Sequence, residues 1–267
     1  MMPPPIAQPV FAPPRPGALD IIGLFKRFDQ KVAVDGLNLS IPKGSFFGLV
    51  GPNGAGKTTT LRMATGLLRP DAGQVRITGV DVWPDPASVK SLLGLVPDGL
   101  LLFERLSGQE MLLYAGLLRG MPEAEVVARS GELLEVLGLK GDADKLIVDY
   151  SHGMKKKTAL ACALLHRPPL LVLDEPFEGI DPVSAVNMRT VLERYTASGG
   201  TVIMSSHVMD LVERMCDHVA VIAKGRILAN GPIAKLQSGG SLEDAFLHLV
   251  GGSTVATGSL SWLDQPR

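Results

Sequence analysis

The sequence predicts an α/β fold built on a largely parallel sheet, and three observations predict it. From about Leu19 onward, short apolar strands alternate with helical segments, a rhythm that packs helices onto a parallel sheet. One of these strands runs directly into the glycine-rich stretch Gly51 to Thr58, which opens a helix. Between Asp98 and Pro168 the strand signals stop and the apolar spacing becomes helical, marking a helical insert within the core.

The elements follow in chain order. Met1 to Gly17 carries proline so often that it cannot supply a ladder of backbone donors or bury a face, so it reads as a disordered arm. A proline-rich docking peptide is the alternative reading of that arm. The clearest strands are Ser45 to Val50, Leu170 to Asp174, Thr201 to Ser206 and His218 to Ala223, each short, apolar and bounded by Gly, Pro or a charged residue. In the insert, Val126, Val127, Ser130, Leu133, Leu134 and Leu137 recur on one helical face. Ser107 followed by Glu110 reads as a capping box that starts a helix. Past Gly251 periodicity is lost, and residues 252–267 read as a flexible tail.

Composition narrows the partners. The 267 residues suit one large domain or a core with an inserted one. Apolar residues make up 46% and the formal net charge is -1, so no broad positive excess attracts nucleic acid and no nucleic acid partner is expected. No apolar stretch approaches the roughly 18 residues that span a bilayer, and nothing near the start resembles a signal peptide. The expected location is the cytoplasm. Cys162 and Cys216, the two cysteines, lie in helix-like apolar patterns without metal-ligand spacing and read as buried reduced thiols.

Chemistry concentrates in two segments. Gly51-Pro52-Asn53-Gly54-Ala55-Gly56-Lys57-Thr58 satisfies G-x-x-x-x-G-K-[ST] after a strand and before a helix. Glycines let successive backbone N–H groups converge on phosphate oxygens, and the helix start directs its dipole to the same place. Lys57 adds charge toward the outer phosphates, and the Thr58 hydroxyl is a magnesium ligand. The second segment, Leu170 to Pro176, ends a buried-type apolar strand in the adjacent acids Asp174 and Glu175. Two carboxylates there are costly unless they serve a cation or a proton transfer. Asp174 is assigned to magnesium, and Glu175 to polarising an attacking water as general base.

With these motifs in place, the chain resembles the ATP-binding cassette (ABC) family from about Leu19 to Gly251. Tyr150-Ser151-His152-Gly153-Met154 stands where that family carries its LSGGQ-type signature; Ser151 and Gly153 match it, whereas His152 and Met154 depart. The resemblance implies a P-loop NTPase core with a mainly parallel sheet, an N-terminal antiparallel β subdomain and an α-helical subdomain inserted at about 98–168, together spanning 18–251. It implies that ATP is bound with Mg2+ between two cassettes arranged head to tail, with Ser151 and Gly153 touching the γ-phosphate on the opposite copy. It also implies that Phe28 stacks on adenine, that Thr59 lines the phosphate site, that His207 contacts the γ-phosphate and that Asp181 communicates across the dimer. Asp181 is equally a helix N-cap before Pro182. Asp98 stands where the family has Gln or Glu, at the joint between core and insert, and the resemblance implies a magnesium-site oxygen there, carried on a side chain one methylene shorter than Gln or Glu.

Leu106-Ser107-Gly108-Gln109 resembles the signature by letters but lacks a glycine and a following basic helix. Lys155, Lys156 and Lys157 read as a solvated helix face. His152, His166, His218 and His248 receive no function. The single cassette and its short insert resemble stand-alone exporter cassettes, so the expected partners are a second cassette, in a homodimer, and integral membrane permease subunits that hold the chain at the inner membrane face. The alternative is a soluble ABC-type ATPase acting as a regulatory or assembly switch.

Overall fold

The computed structural model describes residues 16–237 and 241–250. Residues 1–15 of the stretch read as an arm, and the tail 252–267, lie outside the described residues. Gly17 is held, its amide donating to the Asp20 carboxylate at 3.0 Å.

The chain opens with β1 (Leu19–Phe28) and β2 (Lys31–Ile41), an antiparallel pair. Next come β3 (Phe46–Val50), α1 (Lys57–Ala64), β4 (Ala72–Ile77), β5 (Val80–Asp81) and β6 (Leu93–Val96). Helices α2 (Gly108–Leu118), α3 (Glu123–Val136) and α4 (His152–Leu164) follow without an intervening named strand. The core resumes with β7 (Leu170–Leu173), α5 (Pro182–Ala197), β8 (Thr201–Ser206), α6 (Met209–Met215), β9 (His218–Ala223) and β10 (Arg226–Pro232). Short α7 (Ile233–Leu236) and α8 (Leu242–Val250) close the described chain.

Two sheets result. One is antiparallel, in the order β2-β1-β4-β5; the other runs β10-β9-β3-β8-β7-β6 and is parallel except where β10 pairs with β9. The period of two in a strand explains how the second sheet feeds two cores. Phe47, Leu49, Leu170, Val172, Ile203, Ala220 and Ile222 face the side covered by α1 and the antiparallel sheet. Phe46, Val50, Leu171, Leu173, Val202, Met204, Val219 and Val221 face the helices of the insert together with α5 and α6. Burying both faces requires continuous apolar runs, which is how these strands read. Each Val, Leu, Ile, Phe or Met among them contributes about 1.5–3 kcal/mol on burial, and a one-residue slip would exchange every inward side chain between the two cores.

The predicted strands fall where expected, except that the first begins at Phe46 rather than Ser45 and the second ends at Leu173 rather than Asp174. The capping box forms: Glu110 N–H donates to Ser107 Oγ at 3.2 Å and Ser107 N–H donates to Glu110 at 2.8 Å. In α3, Val126, Ser130, Leu134 and the following Leu137 are buried, but Val127 is 53% exposed. It lies 100° around the helix from Val126 and so falls beyond the buried stripe. Cys162 and Cys216 are free and partly buried. Burial pushes the Cys162 thiol up to about 12 and raises the Cys216 thiol as well, which holds both in the unreactive thiol form.

Candidate functional site

The strands of the parallel sheet end in step. Val96 pairs with Leu173, Leu173 with Met204 and Val50 with Ser206. The residues that follow those ends, Gly51, Asp98, Asp174 and His207, therefore emerge along one edge, the position at which open α/β sheets bind ligands.

Between β3 and α1 the loop packs too closely for side chains at two of its glycines, Gly51 and Gly56. A Cβ on Gly51 would lie 2.1 Å from the Ile222 carbonyl oxygen, and one on Gly56 would lie 2.6 Å from that of Ala33. Gly56 also adopts φ 108, in the left-handed region that favours glycine. The loop then enters α1 at Lys57, whose ammonium is 6% exposed, donates to the Gly51 carbonyl at 2.7 Å and stands 3.4 Å from Glu175 Oε1. A cleft of about 500 Å³ opens above it, lined by Phe28, the loop from Pro52 to Thr59 including Asn53, Gly54 and Ala55, and by Asp98, Glu175 and His207. Phe28, at the end of β1, is 46% exposed, with the Lys26 ammonium 5.6 Å from its ring centroid.

The two acids beyond β7 have different surroundings. Asp174 is buried, and its Oδ1 accepts from the Ser205 hydroxyl at 2.6 Å and the Thr58 hydroxyl at 3.2 Å. Burial raises its pKa, the Ser205 and Thr58 hydrogen bonds oppose that rise, and the carboxylates of Asp98 and Glu175 add to it. A buried carboxylate beside a hydroxyl, near further carboxylates, is a hard all-oxygen donor set that a divalent cation such as magnesium fits.

Glu175 adopts φ 47, an unusual conformation for a residue with a Cβ, at a cost on the order of 1–3 kcal/mol that neighbouring contacts must offset. Its carboxylate lies between Lys57 at 3.4 Å and His207 Nδ1 at 3.1 Å. Because a carboxylate accepts, His207 donates through Nδ1–H. A carboxylate held over a phosphate-type loop by a lysine and a histidine is equipped to take a proton from water.

Ser205 is a residue that sequence reasoning passed over. Fully buried in β8, its hydroxyl accepts from Glu175 N–H at 2.9 Å while donating to Asp174. Replacing it, Ser205→Ala, leaves the Glu175 N–H without its acceptor and Asp174 with the Thr58 hydroxyl alone, so the denaturant midpoint is expected to fall by an amount equivalent to about 1–3 kcal/mol. A midpoint equal to the parent's would show that the two bonds contribute nothing net.

The lysine run is corrected by the structure. Only Lys155 behaves as a surface residue, pairing with Glu104 at 3.0 Å; Lys156 and Lys157 are 3% and 6% exposed. In α4 every residue from Lys156 to Ala161 is buried, together with Gly153, Ala163 and Leu164, so the helix is enclosed on all sides and no stripe in the spacing marks the two lysines.

Ser151, Gly153 and Asp181 assemble away from the cleft. Ser151 is exposed and caps α4, accepting from Met154 N–H at 3.2 Å. A Cβ on Gly153 would meet Asp181 Oδ2 at 3.3 Å. Asp181 caps α5 through the Ser184 amide at 2.9 Å, and the Ser184 amide and hydroxyl hold its carboxyl below the usual range. One chain thus presents a phosphate-type cleft and, apart from it, an exposed helix N-terminus suited to an anion.

The family model described as ABC transporter matches residues 34–178. The linearmycin resistance ATP-binding protein LnrL of Bacillus subtilis is 38% identical over 206 residues, covering 77% of this chain and 66% of that protein. The Nod factor export ATP-binding protein I of Ralstonia nicotianae is 38% identical over 224 residues, covering 82% of this chain and 70% of its own length. A solved ATP-binding subunit of an ABC transporter superposes with a TM-score of 0.82 at 28% identity, covering 87% of this chain and 99% of that one. The chain thus spans about two thirds of the length of these curated relatives.

Proposed function

This chain belongs to the ABC transporter family, and from that premise we propose that it is the ATP-binding and ATP-hydrolysing subunit of an exporter, acting as a pair of cassettes on separate membrane-spanning partners. The observation that carries this reading is Glu175, fixed in a left-handed conformation with its carboxylate between Lys57 and His207 at the mouth of the glycine loop.

The roles follow from position. The loop from Gly51 to Thr59 cradles the ATP phosphates, and Lys57 turns from Gly51 and Glu175 toward them, while Phe28 stacks on the adenine. Asp174 and Thr58 would hold magnesium, with the Asp98 carboxylate near Asp174. When bound, the ion neutralises charge that develops on the phosphate oxygens. Glu175 accepts the proton of the attacking water, and His207 orients the Glu175 carboxylate and meets the γ-phosphate. Ser151 and Gly153 close on the nucleotide held by the other copy, with Asp181 linking the two sites. Closure around ATP does the mechanical work on the membrane partner, because ATP favours the paired state.

Among the described residues, no helix is long and apolar enough to cross a membrane; in this reading a membrane-spanning permease subunit holds the chain at the inner membrane face. The named relatives support export over a switch without transport. The test is to purify the chain together with the membrane subunit that co-purifies with it. ATP hydrolysis that requires Mg2+, stops with EDTA and rises when the permease is reconstituted in vesicles is expected; hydrolysis indifferent to the permease would favour the soluble switch.

A further inference from the structure

Lys156 reaches from α4 to the turn that carries Glu175. Its ammonium donates to the carbonyl oxygens of Glu175 and Glu178, both at 2.7 Å. A buried ammonium is retained only where fixed acceptors replace its water. Burial lowers its pKa, and the Glu178, Asp98 and Glu175 carboxylates oppose that fall. The two carbonyls belong to one turn, since Glu178 N–H donates to Glu175 O at 3.3 Å.

The consequence falls on Glu175. Its N–H is held from the β8 side by Ser205 at 2.9 Å and its C=O from the α4 side by Lys156. With both flanking peptide groups fixed, the residue stays at φ 47. Released on the α4 side, the peptide relaxes toward ordinary φ values and swings the carboxylate away from Lys57 and His207.

We propose that Lys156 is a positioning residue for the hydrolytic base: it clamps the Glu175 peptide in the left-handed conformation that aims the carboxylate, and it makes that aim depend on where α4 sits. Lys156 lies five residues after Ser151, about 7.5 Å along the helix. In the functional reading above, on which this inference rests, Ser151 contacts the nucleotide of the other copy. Seating of α4 on one nucleotide is then felt by the base acting on the other.

The test measures turnover at saturating Mg-ATP, equilibrium ATP affinity and thermal midpoint on the full chain. Lys156→Met, of similar length without a donor, is expected to lower kcat by about 10- to 100-fold, with ATP affinity within about twofold of the parent; Lys156→Arg, which keeps donors, recovers most of the loss. In a Glu175→Gln background Lys156→Met is expected to change the residual rate by less than about twofold, because both substitutions disable the same group. Multiplying losses, a parallel fall in ATP affinity, or unchanged turnover would overturn the clamp. Should Lys156→Met fail to fold, Lys156→Gln, whose shorter side chain does not reach both carbonyls, is expected to lower kcat to a value between those of Lys156→Arg and the donor-less chain, and unchanged turnover in it would equally overturn the clamp. A parent chain that hydrolyses no ATP would overturn the functional reading itself, a failure visible before any variant is made.

Discussion

Glu175→Gln is expected to bind ATP at least as tightly as the parent chain and to hydrolyse it about 10²- to 10⁴-fold more slowly. The carboxylate sits 3.4 Å from the Lys57 ammonium and 3.1 Å from His207 Nδ1, so it holds two groups that also face phosphate. An amide of the same shape leaves the backbone clamp intact, since Ser205 and Lys156 engage the peptide rather than the side chain. It removes a negative charge that competes with phosphate for Lys57, which favours nucleotide binding. It also removes the basicity of the carboxylate, since an amide oxygen does not accept a proton at neutral pH. Single-turnover hydrolysis and equilibrium nucleotide binding separate the two effects, and near-normal turnover would remove Glu175 from the chemistry.

The second large effect comes from the other surface. Ser151→Asp keeps a good helix cap, because aspartate accepts from the same amide as serine does, so α4 is expected to form normally. It places a carboxylate where the γ-phosphate of a second copy would approach, and hydrolysis is expected to fall by about 10²- to 10³-fold while the chain's own cleft still binds ATP. Mixing Ser151→Asp with Glu175→Gln before nucleotide is added then restores activity from two inactive proteins. Each mixed pair joins one intact cleft to one intact helix end, giving roughly a quarter of parental turnover if sites act independently and chains pair at random. If each chain's helix end served its own cleft, every combination would stay inactive.

The legibility of the molecule differed from place to place. The apolar runs from Phe46, Leu170, Thr201 and His218 were readable as strands because a sheet buried on both faces demands unbroken apolar sequence. The Ser107 capping box was readable because both partners lie within one turn. Val127 was misplaced because neighbouring apolar residues look alike until packing selects a stripe. Lys156 and Lys157 were misplaced because charge suggests solvent, whereas their acceptors and screening carboxylates lie on segments distant in sequence. Ser205 looked like an ordinary strand serine for the same reason: its partners, Asp174 and Glu175, are about thirty residues away.

By itself the sequence determined the glycine loop, the acid pair, the parallel core and the helical insert, because each is encoded in local spacing and backbone preference. Only the tertiary structure decided that Glu175 turns left-handed between two clamps and that one lysine of three reaches that turn. These depend on how strands with aligned ends and one buried helix bring distant residues within hydrogen-bonding range, and such distances are set by packing of the whole sheet rather than by any neighbouring residue.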